Sequence, residues 1–350
     1  MQNLAKFQIG GTWVGHDHKS FVIAEVAQAH DGSLRLAHSF IDAATQAGAD
    51  AVKFQLHLPE HESTLNEQFR VNMGGQDKDR FSYWERTNFS LSGWRELCSH
   101  AEKNDIKFLC STFSVEGVEI LRDLGVPAWK ISSGELWSPE VIESMMKDGK
   151  PIIASTGLAS SAEIKSFVDR YKNCGNALGL LQCTSKYPTP IQESGINLIS
   201  QFRQYGCAVG LSDHSGTVFP SLAAMAINAD LLEVHVTFDR GIWGPDASSS
   251  LIFDELALLC KFRDAFDLMR NNPVDKDKVA AELVITRDLF SKSLALRVDL
   301  PAGSVITEEM ITLKKPGGGI AREAINSVVG KKVKKDVTSR RLLEWSDLVE

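Results

Sequence analysis

The sequence predicts a parallel α/β barrel followed by a small β-rich domain. Over roughly the first 270 residues, short apolar runs typical of strands alternate with helical patterns, which is the order of elements in a (β/α)8 TIM barrel. A charged stretch containing a proline follows at 271–284, and short β-like runs divided by Pro and Gly fill 285–350. We therefore expect a barrel domain at 1–270, a linker at 271–284 and a separate β-rich domain at 285–350.

The elements of the barrel can be placed one after another along the chain. Segments 8–14 and 21–26 flank the turn-like residues GHDHKS, which predicts a short hairpin-like element leading into a first buried strand, FVIAEVA. Seven further strands are expected at 51–57, 107–113, 128–133, 151–156, 177–184, 207–213 and 231–237. Helical patterns lie between them, for example at 33–48, 92–104, 138–149 and 217–228. Strands that alternate with helices in this way require a parallel sheet.

One connection is too long for a simple turn between a strand and a helix. Residues 59–90 are polar and rich in Asn, Gln and Arg. Long excursions after a strand are often functional, so this segment is predicted to be a lid, with a disordered loop as the alternative.

The composition limits the class of protein. With 350 residues, 43% of them hydrophobic, the chain can bury a large core, and no apolar run approaches a membrane span. The start, MQNLAKFQIGG, lacks the features of a signal peptide, and the net charge of -7 argues against a dedicated nucleic-acid binder. The six cysteines have no CxxC spacing and are interpreted as reduced core residues. We expect a soluble, cytoplasmic protein.

Two histidines lie at the ends of neighbouring predicted strands. His214 follows the seventh strand, and His235 lies near the end of the eighth, on the same face as Glu233. Barrel enzymes keep their chemistry at the carboxyl ends of the strands. The two imidazoles could therefore converge on one divalent cation, with a carboxylate or water completing its shell. The alternative is that each histidine only satisfies a local hydrogen bond.

Two lysines lie within otherwise apolar strands. Lys53 and Lys130 are costly to bury without an anionic partner. Because neighbouring predicted strand ends offer Ser and Thr hydroxyls around them, the lysines suggest a cradle for a phosphate group. The alternative is an internal ion pair with Glu25 or Glu135.

Motifs spread over essentially the whole chain resemble those of the N-acetylneuraminate (sialic acid) synthases and of their relatives that make pseudaminic and legionaminic acids. These motifs are FVIAEVAQAHDGS, AGADAVKFQ, KISSGE, IIASTG, LLQCTSKYPTP, GLSDHSG, EVHVTFDR and GPDASSSL, then FSKSLALRVDLPAGSVITEEM and GKKV. They occur in the family's order and at the predicted strand ends, so the resemblance is specific. It implies that the tail is an antifreeze-like (SAF) domain.

The resemblance implies a transferase that forms a carbon–carbon bond. Such enzymes condense phosphoenolpyruvate with an N-acyl hexosamine of the N-acetylmannosamine type, as its open-chain aldehyde, to a nine-carbon 2-keto acid and phosphate. The resemblance also implies a divalent metal ion, with Mn²⁺ first and Mg²⁺ or Co²⁺ as alternatives. It further implies a domain-swapped homodimer, in which each tail caps the partner's barrel. No nucleic-acid or membrane partner is expected.

The resemblance also assigns roles to individual residues at matching positions. The implied metal ligands are His214 and His235, and Glu25 is the implied acid/base. The residues implied to bind phosphoenolpyruvate are Lys53, Thr112, Lys130, Ser133, Ser155, Ser185 and Ser212. The residues implied on the sugar side are Gln55, Glu135, Tyr187, Asp246 and Lys315.

Three positions depart from the family's pattern. The family usually reads NHNG or NHQG where this chain has Ala29-His30-Asp31-Gly32. The family usually has a polar residue at the position of Ala247 in this chain. It usually has Arg-Pro-Gly where this chain has Lys315-Pro316-Gly317. Arginine and lysine are not equivalent at a bidentate site. The sequence therefore leaves open which hexosamine is used, whether it carries a 6-phosphate, and which metal is native.

Two other functions compete with this one. Another enzyme that condenses phosphoenolpyruvate with an aldose would use a similar barrel, but the SAF-like tail argues against it. A non-catalytic sugar- or ice-binding protein would account for an antifreeze-like tail. An ice-binding face needs a flat, regular array, whereas this tail carries lysines at 314, 315, 331, 332, 334 and 335.

Overall fold

Eight parallel strands close into a barrel in the first of the two units into which the chain divides. The computed structural model describes residues 5–71 and 75–349, and the units are Met1–Asn271 and Asn272–Glu350. In chain order the strands described in the first unit are β1 (Lys6–Ile9), β2 (Thr12–Gly15), β3 (Phe21–Ala27), β4 (Ala51–Leu56), β5 (Lys107–Thr112), β6 (Trp129–Ile131), β7 (Ile152–Ser155), β8 (Leu178–Cys183), β9 (Ala208–Asp213), β10 (Leu231–Thr237) and β11 (Leu251–Ile252). Strands β3 to β10 each pair in parallel with the next, and β10 also pairs with β3. The predicted barrel is therefore confirmed.

Helices connect the barrel strands and pack on the outside of the sheet. Those described in the first unit are α1 (Leu34–Ala47), α2 (Pro59–Glu62), α3 (Arg80–Thr87), α4 (Leu91–Lys103), α5 (Val115–Asp123), α6 (Pro139–Met146), α7 (Ser161–Tyr171), α8 (Asn197–Phe202), α9 (Phe219–Ala226) and α10 (Phe253–Asn271). The start of α1 shows how the sequence begins such a helix, because the Ser33 hydroxyl accepts a hydrogen bond from the Leu36 N–H. Gly48 ends the helix in the left-handed conformation.

A hairpin precedes the barrel strands, and its turn lies before the turn-like GHDHKS. Strands β1 and β2 pair antiparallel around Gly10 and Gly11, whereas GHDHKS forms a separate turn, in which the His18 N–H donates to the Gly15 carbonyl oxygen. Both glycines have positive φ angles, 53° and 88°, which a two-residue hairpin turn requires. Phe7, Ile9 and Val14 pack against inward-facing apolar residues of the barrel strands, so the hairpin closes one end of the barrel.

Side chains alternate between the two faces of the barrel strands. One face is an apolar outer surface, and the other lines an interior that has two layers. Outward-facing residues join the helices in the main hydrophobic core. Inside, the amino ends carry apolar side chains such as Ile23, Leu109 and Leu231. Further along the same face of β10 come the buried Glu233 and His235. The interior is thus apolar at the hairpin end and becomes charged toward the carboxyl ends of the strands.

The long connection after β4 contains α2 and α3, and residues 72–74 within it lie outside the described residues. The Trp84 ring of α3 stacks on the His57 ring at the end of β4, with ring centroids 3.6 Å apart. Within the segment, the Arg86 guanidinium is 2.7 Å from the Asp77 carboxylate. The described part therefore has secondary structure and contacts the barrel, which argues against the disordered alternative, and the lid stays a prediction.

The second unit has its own hydrophobic core. Its strands β12 (Ser293–Leu296) and β13 (Ile311–Lys314) pair antiparallel, and isolated bridges such as Ala295 to Leu342 add β contacts. Apolar side chains of these strands and of the residues after them, including Ile306 and Val328, pack together. This arrangement agrees with the expected small β-rich domain.

Helical structure occupies most of the stretch interpreted as a linker. Helices α11 (Lys276–Glu282) and α12 (Val284–Phe290) precede β12 in the second unit. The Asp275 carboxylate starts α11 by accepting hydrogen bonds from the N–H groups of Asp277 and Lys278. The charged stretch that suggested a linker therefore also contains a residue that caps a helix.

Two expectations from composition can be compared with the structure. Cys110, Cys183, Cys207 and Cys260 are buried free thiols, whereas Cys98 is half-buried and Cys174 is exposed. The core interpretation is wrong for Cys174, which lies three residues beyond the end of α7 and is exposed. In the part of the chain that the structure describes, none of the helices is long and apolar enough to cross a membrane. The cytoplasmic location stays a prediction.

Candidate active site

A cavity of about 400 Å³ lies at the carboxyl ends of the barrel strands. Its wall includes many of the residues proposed from the sequence: Glu25, Lys53, Gln55, Lys130, Ser133, Ser155, Ser185, Tyr187, Ser212, His214 and His235. Asp246 lines an adjoining pocket that shares several of these residues. Residues far apart in the chain meet here because all eight strands end on the same side of the barrel.

Four buried charged side chains meet inside the cavity. Lys53 Nζ lies 2.7 Å from Glu25 Oε2 and 3.8 Å from Glu233 Oε2. Lys130 Nζ lies 3.5 Å from Glu233 Oε1. Buried charges are tolerated when they are paired, so two carboxylates and two ammonium groups form one alternating cluster. The ion-pair alternative for Lys53 is thus present in this structure, whereas the partner of Lys130 is Glu233 and not Glu135.

Within this cluster the pKa of one carboxyl group is raised and the pKa of the other is lowered. Burial raises the pKa of Glu25 to about 7, an effect that Lys53 opposes and Glu233 reinforces. Burial also acts to raise the pKa of Glu233, but the ammonium groups of Lys130 and Lys53 outweigh it and lower this pKa. Two carboxylates whose environments separate their pKa values can divide the roles of proton exchanger and permanent anion. Glu25 suits the first role and Glu233 the second.

Hydroxyl and backbone donors surround Lys130. Its Nζ donates to Ser155 Oγ at 2.8 Å, and Ser133 Oγ accepts from the Gly157 N–H at 2.9 Å. A Cβ at position 157 would lie 2.3 Å from Ser185 Oγ, so a side chain would obstruct this close approach of the backbone. An ammonium group and several hydroxyl groups around one space suit an oxyanion such as phosphate.

The two predicted metal ligands lie together at the cavity. The ring centroids of His214 and His235 are 5.1 Å apart. His214 Nδ1 lies 3.2 Å from the Thr184 carbonyl oxygen, so Nδ1–H can donate there and leave Nε2 as a ligand atom. Burial lowers the pKa of both imidazoles to about 3, so both are neutral near pH 7, as metal coordination requires.

The donor set at this pair has room for oxygen ligands from outside the protein. Within residues 5–71 and 75–349, no three His, Cys, Asp or Glu side chains group as a metal-binding cluster. Asp246 Oδ2 lies 3.8 Å from His235 Nδ1. Two imidazoles with a nearby carboxylate fit a catalytic ion whose other ligands are substrate or water.

The long connection adds an arginine beside the sugar-side residues. Arg70 Nη2 lies 2.6 Å from Asp246 Oδ1 and 2.9 Å from the Pro245 carbonyl oxygen. The Arg70 guanidinium carbon lies 4.0 Å from the centroid of the Tyr187 ring. The Tyr187 ring in turn contacts His214, with centroids 4.3 Å apart. Arg70 therefore orders the end of the cavity where the resemblance puts the sugar.

The structure does not support the contact implied for Thr112. Thr112 faces out of the barrel, since a Cβ on Gly117 of α5 would lie 1.9 Å from Thr112 Oγ1. Its neighbour Ser111 faces inward and accepts a hydrogen bond from Lys53 Nζ at 3.1 Å. Alternation allows only one of two adjacent strand residues to face the interior. Ser111 therefore replaces Thr112 as the hydroxyl of β5 in the cavity.

Glu135 is not among the residues that line this wall. It belongs to the turn after β6, whose residues line the cavity only as far as Gly134. Lys315 belongs to the second unit, where its Nζ lies 5.2 Å from the centroid of the Phe290 ring. Motif matching places such residues in the chain but does not determine where their side chains point.

Sequence reasoning gave no role to several residues of the wall, among them His57, Arg70 and Glu233. The signal for Glu233 was available, because it shares a strand face with His235. His57 likewise follows Lys53 and Gln55 with the period of a strand. Arg70 had no such signal, since its position depends on how a long connection folds over the barrel.

Known proteins are similar to this chain over most of its length. The model of the NeuB family matches residues 40–272, and that of the SAF domain matches residues 291–349. The chain is 30% identical to N,N'-diacetyllegionaminic acid synthase of Campylobacter jejuni, over 93% of this chain and 99% of the relative. It is 33% identical to N-acetylneuraminate-9-phosphate synthase of Homo sapiens, over 92% of this chain and 91% of the relative.

A solved structure shows the same architecture. The N-acetylneuraminic acid (sialic acid) synthetase of Leptospira borgpetersenii, in complex with citrate, aligns with a TM-score of 0.70 and 27% identity, over 82% of this chain and 98% of that chain. These comparisons confirm the predicted barrel followed by a SAF domain. They also confirm the resemblance to the sialic acid synthase family. Because the family model spans more than half of the chain, this protein belongs to the NeuB family.

Proposed function

We propose that the protein is a transferase that condenses phosphoenolpyruvate with an N-acyl hexosamine of the N-acetylmannosamine type, giving a nine-carbon 2-keto sugar acid and phosphate. The observation that carries the proposal is one cavity that holds two buried lysines with hydroxyl donors and a pair of neutral imidazoles. The lysines suit the anionic groups of phosphoenolpyruvate, and the imidazoles suit a metal ion at an aldehyde. Family membership supports the same reaction.

The residues of the charged cluster divide the work of this reaction. Lys53, Lys130 and nearby hydroxyls hold phosphoenolpyruvate so that its C3 meets the aldehyde carbon. As the new C–C bond forms, the aldehyde oxygen takes up a proton to become a hydroxyl and C2 becomes a cation. Water adds to C2 and loses a proton, and phosphate then leaves with the second proton as its C2–O bond breaks and the C2 hydroxyl becomes the ketone. Glu25 accepts the proton of the attacking water, a role that its raised pKa favours. Glu233 keeps a negative charge between the two lysines and so holds both in place.

The chemistry of the donor set at His214 and His235 fits a divalent ion, with Mn²⁺ first and Mg²⁺ or Co²⁺ as alternatives. Such an ion supplies Lewis-acid polarisation of the aldehyde oxygen when bound. The hydrogen bond from His214 to the Thr184 carbonyl sets the tautomer that presents Nε2 as a ligand.

Phosphate release that requires both substrates tests the proposal. Purified protein is incubated with phosphoenolpyruvate, a divalent metal and a panel of N-acyl hexosamines, with and without a 6-phosphate. We expect phosphate release with at least one hexosamine and, by mass spectrometry, a product equal to the acceptor plus pyruvic acid. A pentose phosphate is added as a further acceptor, and phosphate release with it instead would favour the alternative condensing enzymes. No release with any acceptor would favour a binding protein.

Arg70→Met is expected to raise KM for the sugar roughly tenfold, because it removes a charged hydrogen bond that orders Asp246 beside Tyr187. KM for phosphoenolpyruvate should change less than about twofold. Arg170→Met is the matched control, since Arg170 pairs with Glu143 on the surface. Steady-state kinetics with each substrate varied in turn measures the effect, and an equal rise in both KM values would contradict an acceptor-side role.

The resemblance also leads us to propose a homodimer in which each tail completes the partner's barrel. Truncation after Asn271, where the first compact unit ends, should leave a folded barrel that binds phosphoenolpyruvate but has lost most turnover. Mixing the truncated chain with a Lys53→Met chain should restore part of the activity, because the intact barrel borrows the other chain's tail. Analytical ultracentrifugation verifies the mixed dimer. No recovery in that dimer would mean that each tail serves its own barrel.

A further inference from the structure

A continuous series of hydrogen bonds leads from the long connection to Glu25. Glu62 Oε1, at the end of α2, lies 2.5 Å from His57 Nδ1. His57 Nε2 lies 3.3 Å from Gln55 Oε1, and Gln55 Nε2 lies 2.7 Å from Glu25 Oε1. The side chains of His57 and Glu62 are each only 6% exposed. Water therefore competes little for these hydrogen bonds.

Aromatic rings hold the imidazole of this series in one orientation. The His57 ring lies between the rings of Trp84 and Phe113, with centroid distances of 3.6 and 4.4 Å and interplanar angles of 14° and 7°. A ring stacked on both faces cannot tilt without losing these contacts. The two nitrogens of His57 therefore keep their directions toward Glu62 and Gln55.

The positions of the hydrogens follow from the chemistry of the groups. Gln55 Nε2 donates to the Glu25 carboxylate, so Gln55 Oε1 faces His57 and must accept a hydrogen from His57 Nε2. While His57 Nε2 carries its hydrogen and Glu25 is ionised, a turned-over Gln55 amide would direct its amino group at the N–H of His57 and its oxygen at a carboxylate, and both contacts would be repulsive.

We infer that His57, held by Glu62, is a positioning residue that orients the Gln55 amide so that it donates to Glu25. This inference rests on the proposed function, in which Glu25 accepts the proton of the attacking water. It also assigns Gln55 a role beyond the sugar contact implied by the resemblance, because its carbonyl oxygen is occupied by His57. The long connection therefore controls the geometry of the acid/base group through α2.

A double-mutant cycle in kcat tests this inference. His57→Phe keeps a ring between Trp84 and Phe113 but removes both nitrogens, and we expect kcat to fall roughly tenfold or more, as for loss of a hydrogen bond to a charged group. KM for phosphoenolpyruvate should change less than about twofold. In a Gln55→Leu background, which lacks the amide, His57→Phe should cause no further loss, because residues that act through one contact are not additive.

Two further variants separate positioning from folding. Glu62→Gln still offers a hydrogen bond to His57 Nδ1 and should retain most of the activity, whereas Glu62→Leu should repeat the loss seen with His57→Phe. His61→Phe is the matched control, because His61 lies on α2 with a 43% exposed side chain and pairs with Glu116. Melting temperatures verify that each variant is folded. If His57→Phe does not fold, Glu62→Leu replaces it in the cycle.

The outcomes are distinguishable. If His57→Phe lowers kcat as much in the Gln55→Leu background as in the wild type, the inference is overturned. A wild-type kcat in the single variant His57→Phe would overturn it as well. A wild-type protein that releases no phosphate would instead contradict the proposed function, before any variant is measured.

Discussion

His235→Ala should lower kcat by roughly a thousandfold or more. A metal ion at an aldehyde oxygen contributes several kcal/mol of transition-state stabilisation, and each 1.36 kcal/mol corresponds to about a factor of ten in rate. Removal of one of the two proposed imidazole ligands would leave too few donors among the described residues to retain the ion. Exhaustive treatment of the wild type with EDTA should have the same effect, and Mn²⁺, Co²⁺ or Mg²⁺ should restore activity.

Metal binding can be measured independently of turnover. Calorimetric titration with Mn²⁺ should show one site per chain in the wild type and none in His235→Ala. His38→Ala is the matched control, because His38 lies on α1 and pairs with Glu96 outside the barrel. Full activity of His235→Ala after exhaustive EDTA treatment would disprove the metal site.

Lys53→Met should weaken phosphoenolpyruvate binding roughly a hundredfold. The substitution keeps the length of the side chain but removes a buried ammonium that would contact an anion, and such charged hydrogen bonds contribute about 1.5–3 kcal/mol each. It also leaves Glu25 and Glu233 without the charge between them. Removal of one partner from a buried ion pair costs about 3–5 kcal/mol of stability, so the melting temperature should fall as well.

Binding and stability effects of Lys53 can be separated by measuring both substrates. Calorimetry should show a much larger loss for phosphoenolpyruvate than for the sugar. Lys107→Met is a suitable control, because Lys107 lies at the amino end of β5, away from the cavity. Equal losses for both substrates would mean that Lys53 is only structural.

The order of elements was predictable because the strand and helix periodicities are local properties of the chain. Alternation along 231–237 indicated which residues share a face, and His235 lies in the cavity as that pattern requires. The same rule, applied to β5, would have selected Ser111 over Thr112. The resemblance assigned Thr112 by motif instead, and the structure places its hydroxyl against α5.

The hairpin and the stretch after Asn271 show how specific backbone requirements add to a composition pattern. GHDHKS does form a turn, since the His18 N–H donates to the Gly15 carbonyl oxygen, but the hairpin turn lies at Gly10-Gly11, where both glycines can adopt positive φ angles. The stretch after Asn271 is charged like a linker and also contains a helix that Asp275 caps.

By itself the sequence determined the barrel, the separate β-rich domain and the types of side chain that the strands carry into the interior, because burial patterns repeat with the period of each element. Only the tertiary structure decided the partners. It paired Lys130 with Glu233, brought Arg70 to Asp246, and linked Glu62 through His57 to the acid/base candidate Glu25. Such contacts join residues that are distant in the chain or lie on a long connection, so they depend on the closure of the barrel and on the path of that connection, which no local periodicity encodes.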